Sequence, residues 1–187
     1  MVASSNMKYQ HLGHTGLKVS ALSYGARVSF GNQIQVPNAK VLLLKCQESD
    51  LVISTKILRG GQGVKDVGLL HKHIIEGTQA CLRCLQMNYV DVFFCHKPVK
   101  STHIEKTVRA MNFVIEKGWA SFWGTSKWDA QQIMEAGVVA LCLCLIGLAI
   151  EQPQLYYLVE GPHTPLYQKY SLGLTIWSPI ESSVLTR

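Results

Sequence analysis

Four runs in this chain place chemically capable side chains directly after apolar, β-rich segments. The run 51–56 ends in Ser54-Thr55-Lys56, which delivers an ammonium group, and the run 89–96 ends in Cys95-His96 before Lys97-Pro98, which delivers an imidazole. The run 120–126 leads through Trp123-Gly124-Thr125-Ser126 into Lys127-Trp128, a small-residue turn able to approach a ligand closely with hydroxyl, amide and cation at hand. The run 173–178 leads through Trp177-Ser178 into Pro179-Ile180, a turn with an aromatic face and a hydroxyl. In parallel α/β folds reactive groups gather at the carboxyl ends of strands. Each end also has an ordinary reading: a lysine there is usually solvated, a lone histidine is usually a satisfied structural group, and Gly-Thr-Ser is a common turn. Their coincidence on one rim argues for a binding site.

The elements that must position these residues follow a rhythm. Strand-like runs recur at 19–25, 51–56, 89–96, 120–126, 148–151 and 173–178, each apolar, short and β-rich. Between them lie helical patterns. In 102–117, Thr102 and Glu105 have capping-box spacing, Ile104, Val108, Met111 and Ile115 step along one face, and Gly118 stops the helix as a C′ glycine. A second helix over 71–85 puts Ile74, Thr78, Cys81, Leu82 and Leu85 on one face, and a third begins near Asp129 with Gln132 behind it. Strand and helix in alternation mean parallel βαβ units. Ahead of them, 9–12 and 17–21 flank His14-Thr15-Gly16, a hairpin that would cap one end of a barrel or sheet. A (β/α)8 barrel and an open doubly wound sheet both fit. A complete barrel takes about 250 residues, roughly 31 per βα unit, so six strands in 187 residues fall short of one. No G-x-G-x-x-G follows the first strand: Gly25 and Gly31 are spaced wrongly, and Gly60-Gly61-Gln62-Gly63 opens no helix. That disfavours the open dinucleotide-binding sheet.

Hydrophobic residues at 48% against 16% charged, with mean hydropathy +0.13, place residues 1–187 in one globular domain. The net charge of +6 favours anionic partners, but the cations are scattered, without the clustered patch that nucleic acid requires. The six cysteines sit in apolar periodic segments, as buried cytosolic thiols do. Cys81 and Cys84 have zinc-type spacing, but no second pair or histidine cluster completes a site, so no metal is expected. Residues 1–8 lack the apolar core of a secretory signal, and the longest uncharged run, 136–150, is short of the roughly 20 residues a membrane helix needs. A cytoplasmic protein without membrane insertion is the expectation.

Several longer stretches carry a family resemblance. Tyr9-Gln10-His11-Leu12-Gly13-His14-Thr15-Gly16-Leu17-Lys18-Val19-Ser20, Phe30-Gly31-Asn32-Gln33, Val52-Ile53-Ser54-Thr55-Lys56, Lys72-His73-Ile74-Ile75-Glu76-Gly77, Tyr89-Val90-Asp91-Val92, Thr107-Val108-Arg109-Ala110-Met111 and Trp123-Gly124-Thr125-Ser126 resemble potassium-channel β subunits of the aldo-keto reductase superfamily, in their plant form. The likeness runs from about residue 7 to 186. His96 fits the plant type, since the animal subunits carry Asn at the matching position.

The resemblance implies a TIM (β/α)8-type barrel that binds NADPH and reduces small aldehydes or ketones by hydride transfer. It also implies a voltage-gated potassium channel α subunit as partner, a homo-tetramer, and a peripheral position at the membrane through the channel. In such enzymes a Tyr general acid protonates the carbonyl, a Lys with its paired Asp tunes that Tyr, and a His orients the substrate. By similarity Lys56 is the catalytic lysine and His96 the catalytic histidine. Gln33, Lys56, Ser126, Lys127, Gln152, Trp177, Ser178, Pro179 and Ile180 would touch the cofactor, with Trp177 stacking on the nicotinamide.

The chain departs from the pattern where the family has its second βα unit, which carries the catalytic Asp and Tyr. Gly25 to Leu51 leaves room for about one unit where two are expected. Tyr24 is no replacement, because it falls at a packing position. The eighth strand of the family also has no counterpart before Arg187. The expectation is therefore an incomplete barrel with an N-terminal β-hairpin and impaired turnover, or else a non-catalytic docking subunit or a non-functional truncated product. Three smaller departures accompany these: Arg27 replaces an aromatic cofactor contact, Leu70 replaces a capping Ser, and 136–150 has shed the charges of a solvated helix face.

Overall fold

The computed structural model describes residues 7–23, 25, 51–57, 68–98, 102–154 and 164–177. Gln33, Ser178, Pro179 and Ile180 of the expected site lie outside them, as do Tyr24 and Arg27.

The chain opens with the expected hairpin. Strands β1 (Tyr9–His11) and β2 (Lys18–Ser20) pair antiparallel, Tyr9 opposite Ser20 and His11 opposite Lys18. Thr15 closes the turn, its hydroxyl donating to the Leu12 carbonyl at 2.7 Å and accepting from the Leu17 amide at 3.1 Å. Gly13 is required for docking. Its φ is +57°, and a Cβ there would lie 2.3 Å from the Gly173 nitrogen and 2.6 Å from the Ser171 oxygen.

Beyond the hairpin the order is β3 (Ser54–Ile57), α1 (His71–Leu85), β4 (Val90–Cys95), α2 (Ile104–Glu116), β5 (Ala120–Ser126), α3 (Ala130–Cys142), β6 (Ile150–Gln152), α4 (Thr164–Tyr170) and β7 (Gly173–Leu174). The five strands form one parallel sheet in chain order, β3-β4-β5-β6-β7. This is the βα alternation read from the sequence, with one correction. The run 19–25 is not a sheet strand among the described residues: its first two positions belong to β2, and 21–23 leave the ladder.

Helix α2 shows how the sequence sets an element's ends, and where it misleads. Its C-terminus is a Schellman close, with the Gly118 amide on the Ile115 carbonyl at 2.8 Å, the Trp119 amide on Val114 at 3.1 Å, and Gly118 at φ +66°. Its N-terminus does not form the expected Thr102–Glu105 box. The helix starts at Ile104 with His103 at the N-cap and no side-chain cap, while Glu105 turns along the helix to accept from Arg109 at 2.8 Å. The capping box belongs instead to α3, where Asp129 accepts from the Gln132 amide at 2.8 Å and Gln132 returns to the Asp129 amide at 3.1 Å. Leu70 precedes α1 without a side-chain cap bond, as its residue type requires.

Strand alternation separates two cores. Toward the helices, Ile57, Phe93, Cys95 and Trp123 pack with Ile74, Val108, Met111 and Val114. Toward the opposite, inner face, Val92, Phe94 and Ile150 pack with Leu12 of the hairpin, so the hairpin plugs the inner side at the amino end of β7. One buried polar group fastens the helix side: Asn112 donates to the Val108 and Ile146 carbonyls at 3.0 Å each and accepts from the Ile146 amide at 2.8 Å. The apolar stripe of α3 is exposed at Met134, Val138 and Leu141, with Ile146 just beyond it. Among the described residues no helix is long and apolar enough to cross a membrane.

Candidate functional site

Lys56 is one residue out of phase with Ile57, which faces the helices, so the pleat sends Lys56 to the inner face. It stands opposite Phe94, and Ser126 stands opposite Gln152. The Lys56 ammonium donates to Ser126 Oγ at 2.9 Å and to Gln152 Oε1 at 2.5 Å. Ser126 Oγ donates onward to the Gln152 carbonyl at 3.2 Å, and Gln152 Nε2 donates to Thr175 Oγ1 at 3.3 Å. Three residues named from the sequence, separated by 70 and 96 positions, thus meet in one half-buried net at the carboxyl ends of β3, β5 and β6.

His96 follows β4 by one residue, its amide on the Ile57 carbonyl at 3.3 Å. The alternation that turns Val92 and Phe94 inward reaches His96 next, so it shares the face of Lys56. Its carbonyl accepts from the Trp128 indole at 2.9 Å, which ties the end of β4 to the turn after β5. Lys127, in that turn, has φ +63°, and its ammonium lies 4.0 Å from the centre of the Trp177 ring. With Lys127 exposed, such a contact contributes about 0.5–1 kcal/mol. Trp177 is anchored by its amide on the Pro153 carbonyl at 3.2 Å and bridges Gln154 in parallel register. The described members of the expected site therefore lie at one end of the sheet, Lys56 bonded to Ser126 and Gln152, Lys127 against Trp177, and His96 on the face of Lys56.

This geometry agrees with what the chain resembles as a whole. Residues 24–187 match the aldo/keto reductase family. The chain belongs to that family. It is also 48% identical to a probable voltage-gated potassium channel subunit beta of Arabidopsis thaliana, and 46% identical to one of Oryza sativa subsp. japonica, with 96% of this chain and 66% of each relative covered. The chain spans just under two thirds of the length of these curated relatives. Each alignment runs over 216 positions, whereas 96% of 187 residues is about 180, so about 36 aligned positions stand opposite gaps in this chain. The aldo/keto reductase fold is an α/β barrel, and the parallel β3–β7 sheet with its helices is the part of it described here.

Members of the aldo/keto reductase family use NAD(P)H. The rim fits such a group. Trp177 Nε1 is buried without an acceptor among the described residues, a donor that a bound ligand's oxygen would satisfy, and Lys56 and Lys127 bring positive charge to the same end of the sheet. One face of the Trp177 ring carries the Lys127 ammonium, so stacking on that face would require Lys127 to move aside.

Glu151 is the residue at this rim that sequence reasoning passed over. It is fully buried on the helix-facing side of β6, opposite Thr125, whose hydroxyl donates to Oε2. Burial pushes its carboxyl up to about 7, against the opposing pull of the Thr125 hydroxyl, the Trp128 and Lys127 amides and the Lys56 charge. Oε1 has no hydrogen bond among the described residues. The available signal was a lone acid inside the apolar run 148–152, where a strand buried on both faces should have none. Burial also raises the Tyr167 phenol, with the Glu151 charge adding to the effect.

Proposed function

We propose that this chain is a potassium-channel-β-like member of the aldo/keto reductase family that binds NADPH at the carboxyl rim of its parallel strands. The Lys56 ammonium, held between Ser126 and Gln152 from two other strands, carries this reading, because a surface lysine would not be fixed by two partners so distant in sequence. Gln33, Ser126, Lys127, Gln152 and the 177–180 turn hold the cofactor, which supplies a hydride equivalent when bound. Lys56 places its charge beside the reacting carbonyl of a small aldehyde or ketone, and His96 orients that carbonyl from the same face.

Association with a voltage-gated potassium channel is the partner role that the relatives' names support; we extend it to regulation by docking on the cytosolic side of the channel α subunit, as a single-domain protein in a homo-tetramer. The roughly 36 gapped positions favour an incomplete barrel without the βα unit that holds the family's Asp and Tyr. Reductase turnover is accordingly impaired, and cofactor-sensing regulation without efficient catalysis is the second reading.

Quenching of tryptophan fluorescence by NADPH tests the cofactor site, since Trp177 lies within it. Saturable quenching in the wild type, lost in Lys56→Met, is the expected result; no quenching at millimolar NADPH would remove the proposal. Co-purification with a channel tetramerisation domain tests the docking role, and a cooperative thermal melt excludes an unfolded remnant.

A further inference from the structure

We infer that Cys142 and Cys144 form an S-acylation site, where long-chain acyl groups and the apolar patch around them anchor the amino end of the parallel sheet to a membrane surface without any helix entering the bilayer. The sequence predicts buried thiols throughout. Among the described cysteines only Cys95 is buried and Cys81 is half-buried, whereas Cys84, Cys142 and Cys144 are exposed. The turn that ends α3 presents the last two. The Cys144 amide bonds the Leu141 carbonyl at 3.2 Å and the Leu145 amide bonds that of Ala140 at 2.8 Å, a Schellman close in which Cys144 takes, at φ +53°, the left-handed position that glycine usually fills. Leu145 then folds back onto the helix-facing core, leaving Cys142 and Cys144 in solvent on either side of half-buried Leu143.

The surroundings suit an acyl chain. No charged residue occurs from Ala136 to Ile150, Leu141 is 79% exposed, and Val138 and Ile146 are 53% exposed each. The helices run back from the carboxyl ends of the strands to their amino ends, so this patch lies at the opposite end of the sheet from the Lys56 rim and leaves that rim open. The other helices close at the same end with exposed cations, Arg83 on α1, Lys117 after α2 and Lys169 on α4, while Glu116 is the one acid in their described final turns. A bilayer with anionic headgroups matches that ring of charge and receives the apolar patch within it. A second copy of the chain fits less well, because a patch of this kind is on the order of 300–600 Å2, whereas a stable interface buries about 800 Å2 a side. A single acyl chain holds a protein only reversibly and needs a second signal, which the paired thiol, the patch and the cations supply. In the reaction a cysteine sulfur attacks the thioester carbonyl of a long-chain acyl-CoA. The new S–C bond forms as the bond from that carbonyl to the coenzyme sulfur breaks, the thiol proton ends on coenzyme A, and nothing is oxidised or reduced.

The test expresses the full chain in yeast cells fed an alkyne-tagged palmitate, and reads the tag that hydroxylamine removes together with the fraction of protein that floats with membranes. Wild type and Cys84→Ser should be tagged alike, because Cys84 sits between Arg83 and Leu85 at the end of α1, away from the patch. The double variant Cys142→Ser/Cys144→Ser should lose both tag and flotation by about tenfold. It should melt with the wild type, since both thiols are exposed, and each single variant should fall between the two, which keeps the test decisive should the double variant melt lower. Hydroxylamine should also release the wild type from membranes. A wild type without hydroxylamine-sensitive tag, tag retained in the double variant, tag lost without loss of flotation, or a disulfide-linked dimer through these thiols in place of the tag would each overturn the proposal.

Discussion

The two faces of the β3–β7 sheet are built on opposite principles. Toward the helices, Phe93, Cys95 and Trp123 meet Val108, Met111 and Val114 in a dry interior, and the buried polar group Asn112 has its bonds made within that interior. Toward the inside, a thinner apolar layer of Leu12, Val92, Phe94 and Ile150 gives way within two residues of each strand end to Lys56, Ser126 and Gln152. The first face holds the molecule together, and the second spends the same strands on a polar net. Stability and binding should therefore respond to different residues, although the strands are shared.

The widest test of that division is Trp123→Ala. It empties the largest fully buried side chain of the helix-facing core, and urea unfolding should show a loss of about 3–5 kcal/mol. A smaller loss would mean that the two cores are not distinct.

Glu151 should come next, because it brings ionisation into the dry face. Its folded value of about 7 lies above the ordinary 4.5, so between those values the folded chain retains a proton that the unfolded chain has released. Stability must then decline as pH rises from about 4.5 to about 7 and level off above, by at most about 3 kcal/mol. Denaturation across that range should show the slope, and Glu151→Gln should abolish it. Asn112→Ala follows at about 2 kcal/mol, since it removes a buried side chain that ties the part-buried Ile146 amide and carbonyl to α2 and loosens the link from α3 to β6. In the opposite direction, Leu70→Ser should add about 1 kcal/mol by capping α1, visible as a higher Tm. The smallest effect on stability sharpens the comparison most: Lys56→Met should shift unfolding by under about 1 kcal/mol while eliminating NADPH binding.

What the sequence disclosed follows the same line. The helix-facing core was legible because periodicity reports burial directly: Ile74, Thr78 and Leu82 mark the buried face of α1, and Val108 and Met111 that of α2. Strand β5 was read to its last residue, because Ala120–Ser126 is bounded by Gly118 on one side and a polar turn on the other. Residues Lys56, Ser126 and Gln152 could be named individually, but their meeting depends on register between β3, β5 and β6, which no local pattern encodes. Two local signals misled for physical reasons. Thr102 and Glu105 have the right spacing for a cap, yet Arg109 one turn on offers Glu105 a charged partner. The run 19–25 is apolar enough for a sheet strand, yet β1 is nearer and takes its start. Glu151 was missed because a single acid in an apolar segment says nothing about which face it occupies.

The seating of the hairpin against β7 bears on how the chain assembles. Every strand of the large sheet pairs with its neighbour in sequence, so each βα unit leaving the ribosome can settle on the one before it. The hairpin cannot. Synthesised ahead of all of them, it finds its socket only when Gly173 arrives to meet Gly13 and Ser171 to receive the His14 amide. Until then Val92, Phe94 and Ile150 lack the Leu12 cover and are open to other chains, so an element made before the sheet is installed after it, and crowded synthesis is where this protein is most vulnerable.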